Sequence, residues 1–544
     1  MNQLFRTKSI DALIAVSEHP EKKLRRTLGP WSLCAFGIGA VIGSGIFILT
    51  GTAAAGETLP YSSILHAPVL DLVLHGSKTL AIMGRPGAGP GISLSFLLTA
   101  ICCGFAALCY AELASMIPIA GSAYTYAYAT LGEIFAWIIG WDLILEYAVS
   151  NMAVAVGFSA YFNDILDSIF GWHLPVQLSG PVVSGGLIPK AWCTAVQGAL
   201  GGGFAGGKLD QVCSLAGGGE LTGAWFNLPA LLVLLVLTYI LVRGVRESAE
   251  TNNLMVLIKI AAILIFVIGA ARAVKTENWH PFLPNGFSGV LTGAAIVFFT
   301  YIGFDSVSTA AEECRRPQRD MPVGIIGTLI ACAILYISVS LVLTGIANYK
   351  TLNNAAPVAN ALKELGFSGI RKWVSLGALV GMLSSILVFQ YGQARVWFAM
   401  SRDGLLPRGF SKVHHRHKTP HISTWIAGLA VGIPAGIWDI GTFADLANIG
   451  TLFAFIVVSA GVLVLRRKQP ERHRGFRVPG SPYLPVLSIV SCLVLMTALP
   501  LETWVRFFVW LFVGLAIYFG FGRRHSTLGN EQAALMPSGS TPAA

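Results

Sequence analysis

Residues 37–51 read GIGAVIGSGIFILTG, and they lie in the first apolar run of the chain that is long enough to cross a membrane. The glycines of this stretch are Gly37, Gly39, Gly43, Gly45 and Gly51. A glycine inside a helix costs about 1 kcal/mol relative to alanine, because its backbone loses more conformational freedom. The sequence therefore places a weak point in the middle of an expected membrane helix.

The composition of the whole chain indicates a polytopic membrane protein. Of its 544 residues, 54% are apolar and only 12% are charged, which is too little charge for a soluble protein of this size. The first residues, MNQLFRTKSIDALIAVSEHPEKKLRR, are polar and charged, so we expect no cleaved signal ahead of the first apolar run near Trp31.

Twelve stretches have the length that a membrane crossing requires, about 20 helical residues, and we number them spans 1 to 12. They cover residues 30–55, 93–117, 132–166, 226–243, 253–273, 288–312, 322–346, 371–398, 421–437, 441–465, 483–500 and 503–522. Lysine and arginine concentrate in the tails and in the loops on the same side as the tails. The positive-inside rule therefore predicts both termini in the cytoplasm and a multi-pass protein of the inner (plasma) membrane.

The charge pattern also indicates whether the chain binds nucleic acid or metal ions. The net charge of +10 comes from basic residues that punctuate the spans, so it needs no nucleic acid to explain it. The histidines of the tract 412–421 stand among lysines and arginines, which favours a solvated basic loop over a metal site. We expect no metal and no cofactor. No nucleophile, base and orienting residue come together in the sequence, so we expect no enzymatic activity.

Two predicted outer loops, 56–92 and 167–225, are long and rich in glycine, proline and serine. Cys193 and Cys213 both lie in the second of these loops, where an oxidising exterior permits a disulfide. We predict that these two cysteines are linked. Two free thiols remain the alternative, because sequence separation does not tell whether the Cβ atoms can meet.

The glycine stretch has two readings. Gly39 and Gly43 form a GxxxG pair, which in an ordinary membrane helix marks close packing against another helix. However, residues 43–45 are a triplet of small residues at mid-span, and span 6 has a second interruption at Gly303 and Asp305 in VFFTYIGFDSVSTAAEE. Non-helical backbone is tolerated at membrane depth only where it is buried in protein or lines a cavity. Breaks five spans apart predict an inverted repeat with a substrate site between them.

Several strings strengthen this interpretation: GIGAVIGSGIFILTG, YIGFDSVSTAAEECRRPQRDMPVGI, MSRDGLLP and KTPHIST. With them the chain resembles the amino acid, polyamine and organocation (APC) transporter superfamily, and within it the bacterial members of the cationic amino acid transporter (CAT) family. The resemblance runs from about residue 28 to residue 522. One departure is an insertion between residues 56 and 89, which affects the expected outer vestibule and not the core.

The resemblance implies an all-α integral membrane fold with twelve transmembrane helices and a LeuT-like 5+5 inverted repeat, in which helices 1 and 6 are broken. The first repeat would cover 30–273 and the second 288–466, followed by two extra helices in 483–522. Residues 1–29 and 523–544 would be cytoplasmic tails.

The same resemblance implies a substrate site at the breaks. The substrate carboxylate would meet backbone N–H groups, and the α-amino group would meet carbonyls. The N–H donors would be Gly43, Ser44 and Gly45, and the carbonyls would be those near Val41, Phe299 and Ile302. Phe299 would also be a gate and Met382 a pocket wall. For these two side chains ordinary helix packing is the alternative.

Charged residues within spans are costly, so they are functional candidates. Lys259 lies in span 5, and one alternative is that its side chain simply reaches the inner membrane surface. The resemblance instead places it where sodium-coupled relatives hold sodium, which implies a role in proton coupling. We predict Glu146 as a second proton-linked group and Asp305 as a residue that stabilises the broken sixth helix.

The sequence thus predicts a secondary active transporter that carries α-amino acids together with protons by alternating access. An amino acid exchanger on the same fold is an alternative, and a sensor that binds without transport is another. The expected partners are an amino acid, protons and the lipid bilayer, and we expect a monomer. Cationic and small neutral amino acids both remain open as substrates.

Overall fold

The computed structural model describes residues 3–11, 14, 26, 28–58, 67–75, 84–119, 121–184, 188, 189, 218–243, 249–414 and 419–528. Within these residues, eight helices are long and apolar enough to cross a membrane, and a bent pair of helices makes a ninth. The chain is therefore a mostly helical, multi-pass membrane protein. Cys193 and Cys213 lie outside the described residues, so their disulfide stays a prediction.

The long helices coincide with predicted spans 2, 3, 5, 6, 7, 8, 10 and 12. In that order they are Gly89–Met116, Glu133–Phe170, Asn253–Ala273, Gly286–Glu313, Pro317–Ile346, Ser368–Arg402, Phe443–Lys468 and Leu501–His525. The bent pair, Pro30–Val41 and Ser44–Ala55, coincides with span 1. We keep the span numbers for these helices.

Three shorter apolar helices coincide with predicted spans 4, 9 and 11. They are Leu228–Arg243, His421–Ala435 and Tyr483–Thr497. Helices of this length measure only about 22–24 Å at 1.5 Å per residue, which is less than the thickness of a hydrocarbon core. Span 6 is the most deeply packed of the long helices, with 89% of its most apolar stretch buried, whereas the corresponding share for span 12 is 22%.

Between the spans the structure contains short elements that a search for membrane-length runs misses. Helices of seven to nine residues are Val69–His75, Ser122–Thr130 and Pro357–Glu364, and single helical turns are Gln3–Phe5, Val176–Ser179, Thr276–Trp279, Tyr349–Thr351 and Arg408–Ser411. Two small sheets correct the all-α expectation. Gly56–Thr58 pairs antiparallel with Gly84–Pro86, and Gly218–Leu221 lies between Val183–Ser184 and Ile188–Pro189.

The first outer insertion is tied to the helical core through Arg85. The Arg85 guanidinium lies 2.7 Å from Glu57 Oε2 and 2.9 Å from Asp445 Oδ1, and its side chain is buried. Glu57 and Arg85 come from the two paired strands, whereas Asp445 belongs to span 10. The insertion is therefore anchored to the membrane helices by the largely buried ion pair of Arg85 and Asp445.

At the opposite ends of the helices, the two chain termini converge on a pair of carboxylates. Lys8 lies 2.7 Å from Asp403, which directly follows span 8. Tyr518 and Ser526 donate hydrogen bonds of 2.9 and 2.6 Å to Glu133, the first residue of span 3. The described parts of both tails thus pack against the ends of spans 3 and 8.

Candidate functional site

The interruption expected in span 1 is present. The first helix ends at Val41, and the chain resumes as a helix at Ser44 with a bend of 49°. Ile42 and Gly43 have non-helical dihedral angles, with ψ 90° for Ile42 and φ −120°, ψ −140° for Gly43. The small-residue triplet 43–45 led us to expect non-helical backbone over all three residues, and this is wrong for Ser44 and Gly45, which begin the next helix.

The glycines at this break allow close approach to other spans. A Cβ atom on Gly45 would lie 2.8 Å from Thr300 Cγ2 and 3.0 Å from Thr300 Cα in span 6. A Cβ atom on Gly43 would lie 3.0 Å from Ser385 Oγ in span 8 and 3.6 Å from Val154 in span 3. Close packing is therefore one reason for the glycines, in addition to the break itself.

Span 6 is interrupted at the same depth. Its α-helix ends at Val297 and continues as a 3-10 turn over Phe298–Tyr301, and a second 3-10 segment covers Phe304–Glu313. Between them, Gly303 has φ +113°, a backbone conformation that residues with a side chain rarely adopt. A Cβ atom on this glycine would lie 3.1 Å from Ala40 Cβ, so the two broken spans touch at their breaks.

The break in span 1 exposes helix ends of opposite polarity. The first N–H groups of the helix that begins at Ser44 have no acceptor within that helix, and its N-terminus carries partial positive charge. Gly43, one of the three predicted carboxylate donors, already donates its N–H to the Val41 carbonyl at 3.0 Å. Ser44 and Gly45 are thus better placed than Gly43 to meet a carboxylate.

Lys259 contacts the C-terminal end of the first helix of span 1. Its side chain is fully buried, and Nζ lies 2.8 Å from the Gly39 carbonyl and 3.0 Å from the Ile42 carbonyl. Weaker contacts at 3.3–3.4 Å join it to Ser384 Oγ and the Gly381 carbonyl of span 8. The alternative in which this side chain reaches the membrane surface is wrong, because the ammonium group points into the core and connects spans 1, 5 and 8.

Sequence analysis missed two further groups that donate to carbonyls at the breaks. Ser385 Oγ donates at 3.2 Å towards the carbonyls of Gly39 and Ile42. Tyr336 Oη lies 3.0 Å from the Val41 carbonyl and 2.9 Å from the Thr300 carbonyl. A signal was available in both cases, since a hydroxyl at mid-span needs a hydrogen-bond partner inside the protein.

The predicted apolar site residues lie in the core. Phe299 belongs to the 3-10 turn of span 6 and is 5% exposed, and Ile302 is the residue after that turn. Met382 is buried on span 8, next to Gly381, whose carbonyl faces Lys259. Val154 of span 3, which sequence analysis did not name, adds a further apolar side chain beside Gly43.

The carboxylates within the spans have fewer hydrogen-bond partners than Lys259 has. Glu146 and Asp142 lie one helical turn apart on span 3, both buried, and none of their carboxylate oxygens has a hydrogen-bond partner among the described residues. Asp305 lies in the first turn of the second 3-10 segment of span 6 and accepts a hydrogen bond of 3.5 Å from Ser122. Asp142, which we had not predicted, carries the same intramembrane signal as Glu146.

Comparisons with known proteins identify the family of the chain. The family model described as amino acid permease matches residues 76–521. The methylthioribose transporter of Bacillus subtilis is 44% identical over 97% of this chain and 100% of its own length. The branched-chain amino acid permease BcaP of Bacillus subtilis is also 44% identical, over 96% of this chain and 99% of its own.

A plant relative widens the range of transporters that the chain matches. Cationic amino acid transporter 9, chloroplastic, from Arabidopsis thaliana, is 33% identical over 97% of this chain and 81% of its own length. These proteins are named as transporters and not as enzymes. The chain therefore belongs to the amino acid permease family of the APC superfamily and resembles its cationic amino acid transporters.

Proposed function

We propose that this protein is a secondary active transporter that carries an α-amino acid together with protons across the plasma membrane by alternating access. The observation that carries the proposal is the meeting of two broken helices, with Gly303 beside Ala40 and Gly45 beside Thr300. Such breaks bring a helix N-terminus and carbonyls without a partner in their own helix to one place. These are the groups that a zwitterion needs.

The proposed architecture has twelve spans, with spans 1–5 and 6–10 related by an inverted repeat and both termini in the cytoplasm. The three shorter apolar helices support it, because they lie where the sequence predicts spans 4, 9 and 11. The breaks in spans 1 and 6 occupy equivalent places in the two repeats. In this arrangement the substrate carboxylate faces the N–H groups of Ser44 and Gly45.

Lys259 is the proposed coupling residue. When protonated, its ammonium group stands in for a bound cation and holds the carbonyls of Gly39 and Ile42 against spans 5 and 8. Loss of the proton removes the positive charge and one donor, so the contact between spans 1, 5 and 8 loosens. Glu146 is the second proposed proton-linked group, because a buried carboxylate without a partner is far more stable when it is protonated.

The surroundings of the break favour a substrate with a neutral, apolar side chain. Val154, Phe299 and Met382, which lie at or beside the breaks, are all apolar. The similarity to a permease named for branched-chain amino acids points the same way.

The proposal is tested by uptake into proteoliposomes with each of the twenty amino acids as competitor, with and without an inward proton gradient. Methylthioribose belongs in the competitor panel because a relative that is 44% identical is named as its transporter. We expect concentrative uptake of a neutral amino acid that depends on the proton gradient. Uptake that needs an amino acid inside the vesicle and ignores the gradient would favour the exchanger, and binding without uptake would favour the sensor.

A further inference from the structure

A groove of about 490 Å³ runs along span 7 near Pro317, where this span begins. Its lining comes from span 7 and from the segment between spans 10 and 11, and includes Gln318, Arg319, Val323, Ile326, Ile330 and Phe476. Gly475 belongs to the same segment, and a Cβ atom on it would lie 2.5 Å from Gln318 Cβ. The segment therefore lies directly against the start of span 7.

The span 7 side of the groove belongs to an exposed apolar face. Val323 is 46% exposed and Ile330 is 55% exposed, and Ile334, one turn farther along, is 62% exposed. With Ile326 these residues recur every three or four positions, so they share one face of the helix. Exposed apolar side chains on a membrane helix face lipid, so the groove opens towards the bilayer.

The groove has a polar end and an apolar length. Arg319 lies near the beginning of the span, and Ile330 follows it by eleven residues, which is about 16 Å along a helix. Half of a hydrocarbon core is about 15 Å thick. The groove therefore matches a molecule with a polar head and an apolar tail that fills a single leaflet.

The polar end is rich in positive charge. Arg319 is exposed, as are Arg315, Arg316 and Arg477, each of which lies within three residues of a lining residue. In the part of the chain that the structure describes, no carboxylate forms an ion pair with any of these four arginines. Their guanidinium groups therefore remain available to an anion.

The acidic residues beside these arginines are engaged elsewhere. Glu313 lies 3.8 Å from Arg395 of span 8. Asp320 is buried, and its Oδ2 atom lies 4.0 Å from Cys314 Sγ. The charge at this end of the groove is thus complementary to an anionic head and not to a cationic one.

We propose that the groove binds an anionic phospholipid, with the phosphate at Arg319 and an acyl chain along Val323, Ile326 and Ile330. The guanidinium fork matches the geometry of a phosphate group, and basic pockets beside membrane helices are typical binding sites for anionic head groups. The lipid comes from the leaflet on the side of the N-terminal tail, because Arg472 of the segment that carries Phe476 lies 2.6 Å from Asp11.

The test measures lipid binding to the purified full-length chain by native mass spectrometry. Phosphatidylglycerol and phosphatidylcholine with identical acyl chains are titrated separately, and the affinity for the first bound lipid is determined. Arg319→Gln removes one charge at the groove. Arg408→Gln is the matched control, since Arg408 is exposed in the turn that follows span 8 and does not line the groove.

We expect Arg319→Gln to weaken phosphatidylglycerol binding about fivefold, the loss equivalent to one basic residue beside an anionic surface. Phosphatidylcholine should bind more weakly than phosphatidylglycerol to the wild-type protein and equally to both proteins, and Arg408→Gln should bind both lipids normally. An equal loss in Arg408→Gln would mean attraction to the general surface charge and would overturn the proposal. Equal affinity of the wild-type protein for both lipids would also overturn it.

Val323→Trp tests the apolar part of the groove independently. Val323 is exposed, so a larger side chain fits without disturbing the core, and it should weaken the binding of both lipids by occupying the acyl-chain position. Unchanged phosphatidylglycerol affinity in this variant would place the lipid elsewhere and overturn the proposal. Displacement of phosphatidylglycerol by inorganic phosphate alone would overturn it too, since the site would then take a soluble anion. None of these measurements involves transport, so their outcome is independent of the proposed function.

Discussion

The breaks in spans 1 and 6 lie side by side, but different groups hold them in place. At span 1, the freed carbonyls of Gly39 and Ile42 are held by side chains from distant parts of the chain, including a charged one. At span 6, local hydrogen bonds add to the contact from Tyr336: Ile302 N–H donates to the Phe299 carbonyl at 3.2 Å, and Ser306 donates to the Gly303 carbonyl.

This difference separates a fixed element from an adjustable one. The span 6 break is built into the backbone by the left-handed conformation of Gly303, so it does not depend on the state of another residue. The span 1 break depends on the ammonium group of Lys259, which can gain or lose a proton. Protonation can therefore alter the position of span 1 while the break in span 6 persists.

The largest effect is expected from Gly303→Ala. Alanine does not adopt φ +113° without strain of about 1–3 kcal/mol, and its Cβ would press on Ala40. We expect uptake to fall at least about a hundredfold, because strain and contact act together at the site. Gly286→Ala is the control, since Gly286 has φ +61° but open surroundings. Normal uptake by Gly303→Ala would show that the span 6 break is not fixed by its glycine.

The next effect is expected from Lys259→Gln, which keeps a donor but removes the charge. We expect gradient-driven accumulation to disappear while counterflow exchange of substrate persists, because binding groups at Ser44 and Gly45 remain. Lys363→Gln is the control, since that lysine is exposed and 3.2 Å from Asp167. If Lys259→Gln still concentrates substrate at the wild-type rate, the coupling role moves to Glu146 or to another group.

A smaller change is expected from Glu146→Gln, which resembles the protonated acid in shape and charge. We expect uptake to depend less steeply on external pH, because only Lys259 still titrates, and its maximum rate to drop about tenfold, equivalent to about 1.4 kcal/mol. Uptake measured from pH 5 to pH 8 tests this. Asp142→Asn is made in parallel, and a flat pH profile in that variant alone would identify Asp142 as the proton-linked group instead.

The smallest effect is expected from Ser385→Ala. Its hydroxyl shares the carbonyls of Gly39 and Ile42 with Lys259, so its loss leaves them a donor. A net hydrogen bond contributes about 0.5–1.5 kcal/mol, which corresponds to a two- to tenfold loss of affinity. Ser338→Ala is the control, because its exposed hydroxyl bonds only within span 7, to Ile334. An effect as large as that of Lys259→Gln would mean that the serine, and not the charge, holds span 1.

Much of the fold was predictable, because the length of an apolar run determines whether a helix can cross a membrane. The breaks were also predictable, since glycine density marks backbone that departs from a helix. The extent of the span 1 break was not, because it depends on how this span packs against residues far away in the sequence, such as Thr300 beside Gly45.

The partners of the breaks were harder to predict for the same reason. Lys259 stood out as a charge within a span, and yet its carbonyl acceptors depend on how spans 1, 5 and 8 pack. Tyr336 and Ser385 look like ordinary mid-span residues until the carbonyls beside them are known. Asp142 could have been named from its position within span 3 alone.

The order of synthesis adds a last consequence of the span 1 break. Each half of this span has 12 residues and is about 18 Å long, so neither half can cross the bilayer alone. The groups that cover its carbonyls follow 217 residues later at Lys259, 295 at Tyr336 and 346 at Ser385. At about 5–20 residues per second, the ribosome needs roughly 17 to 70 s to reach the last of them. For that time the nascent first span must find some of its hydrogen bonds in water or in the insertion machinery.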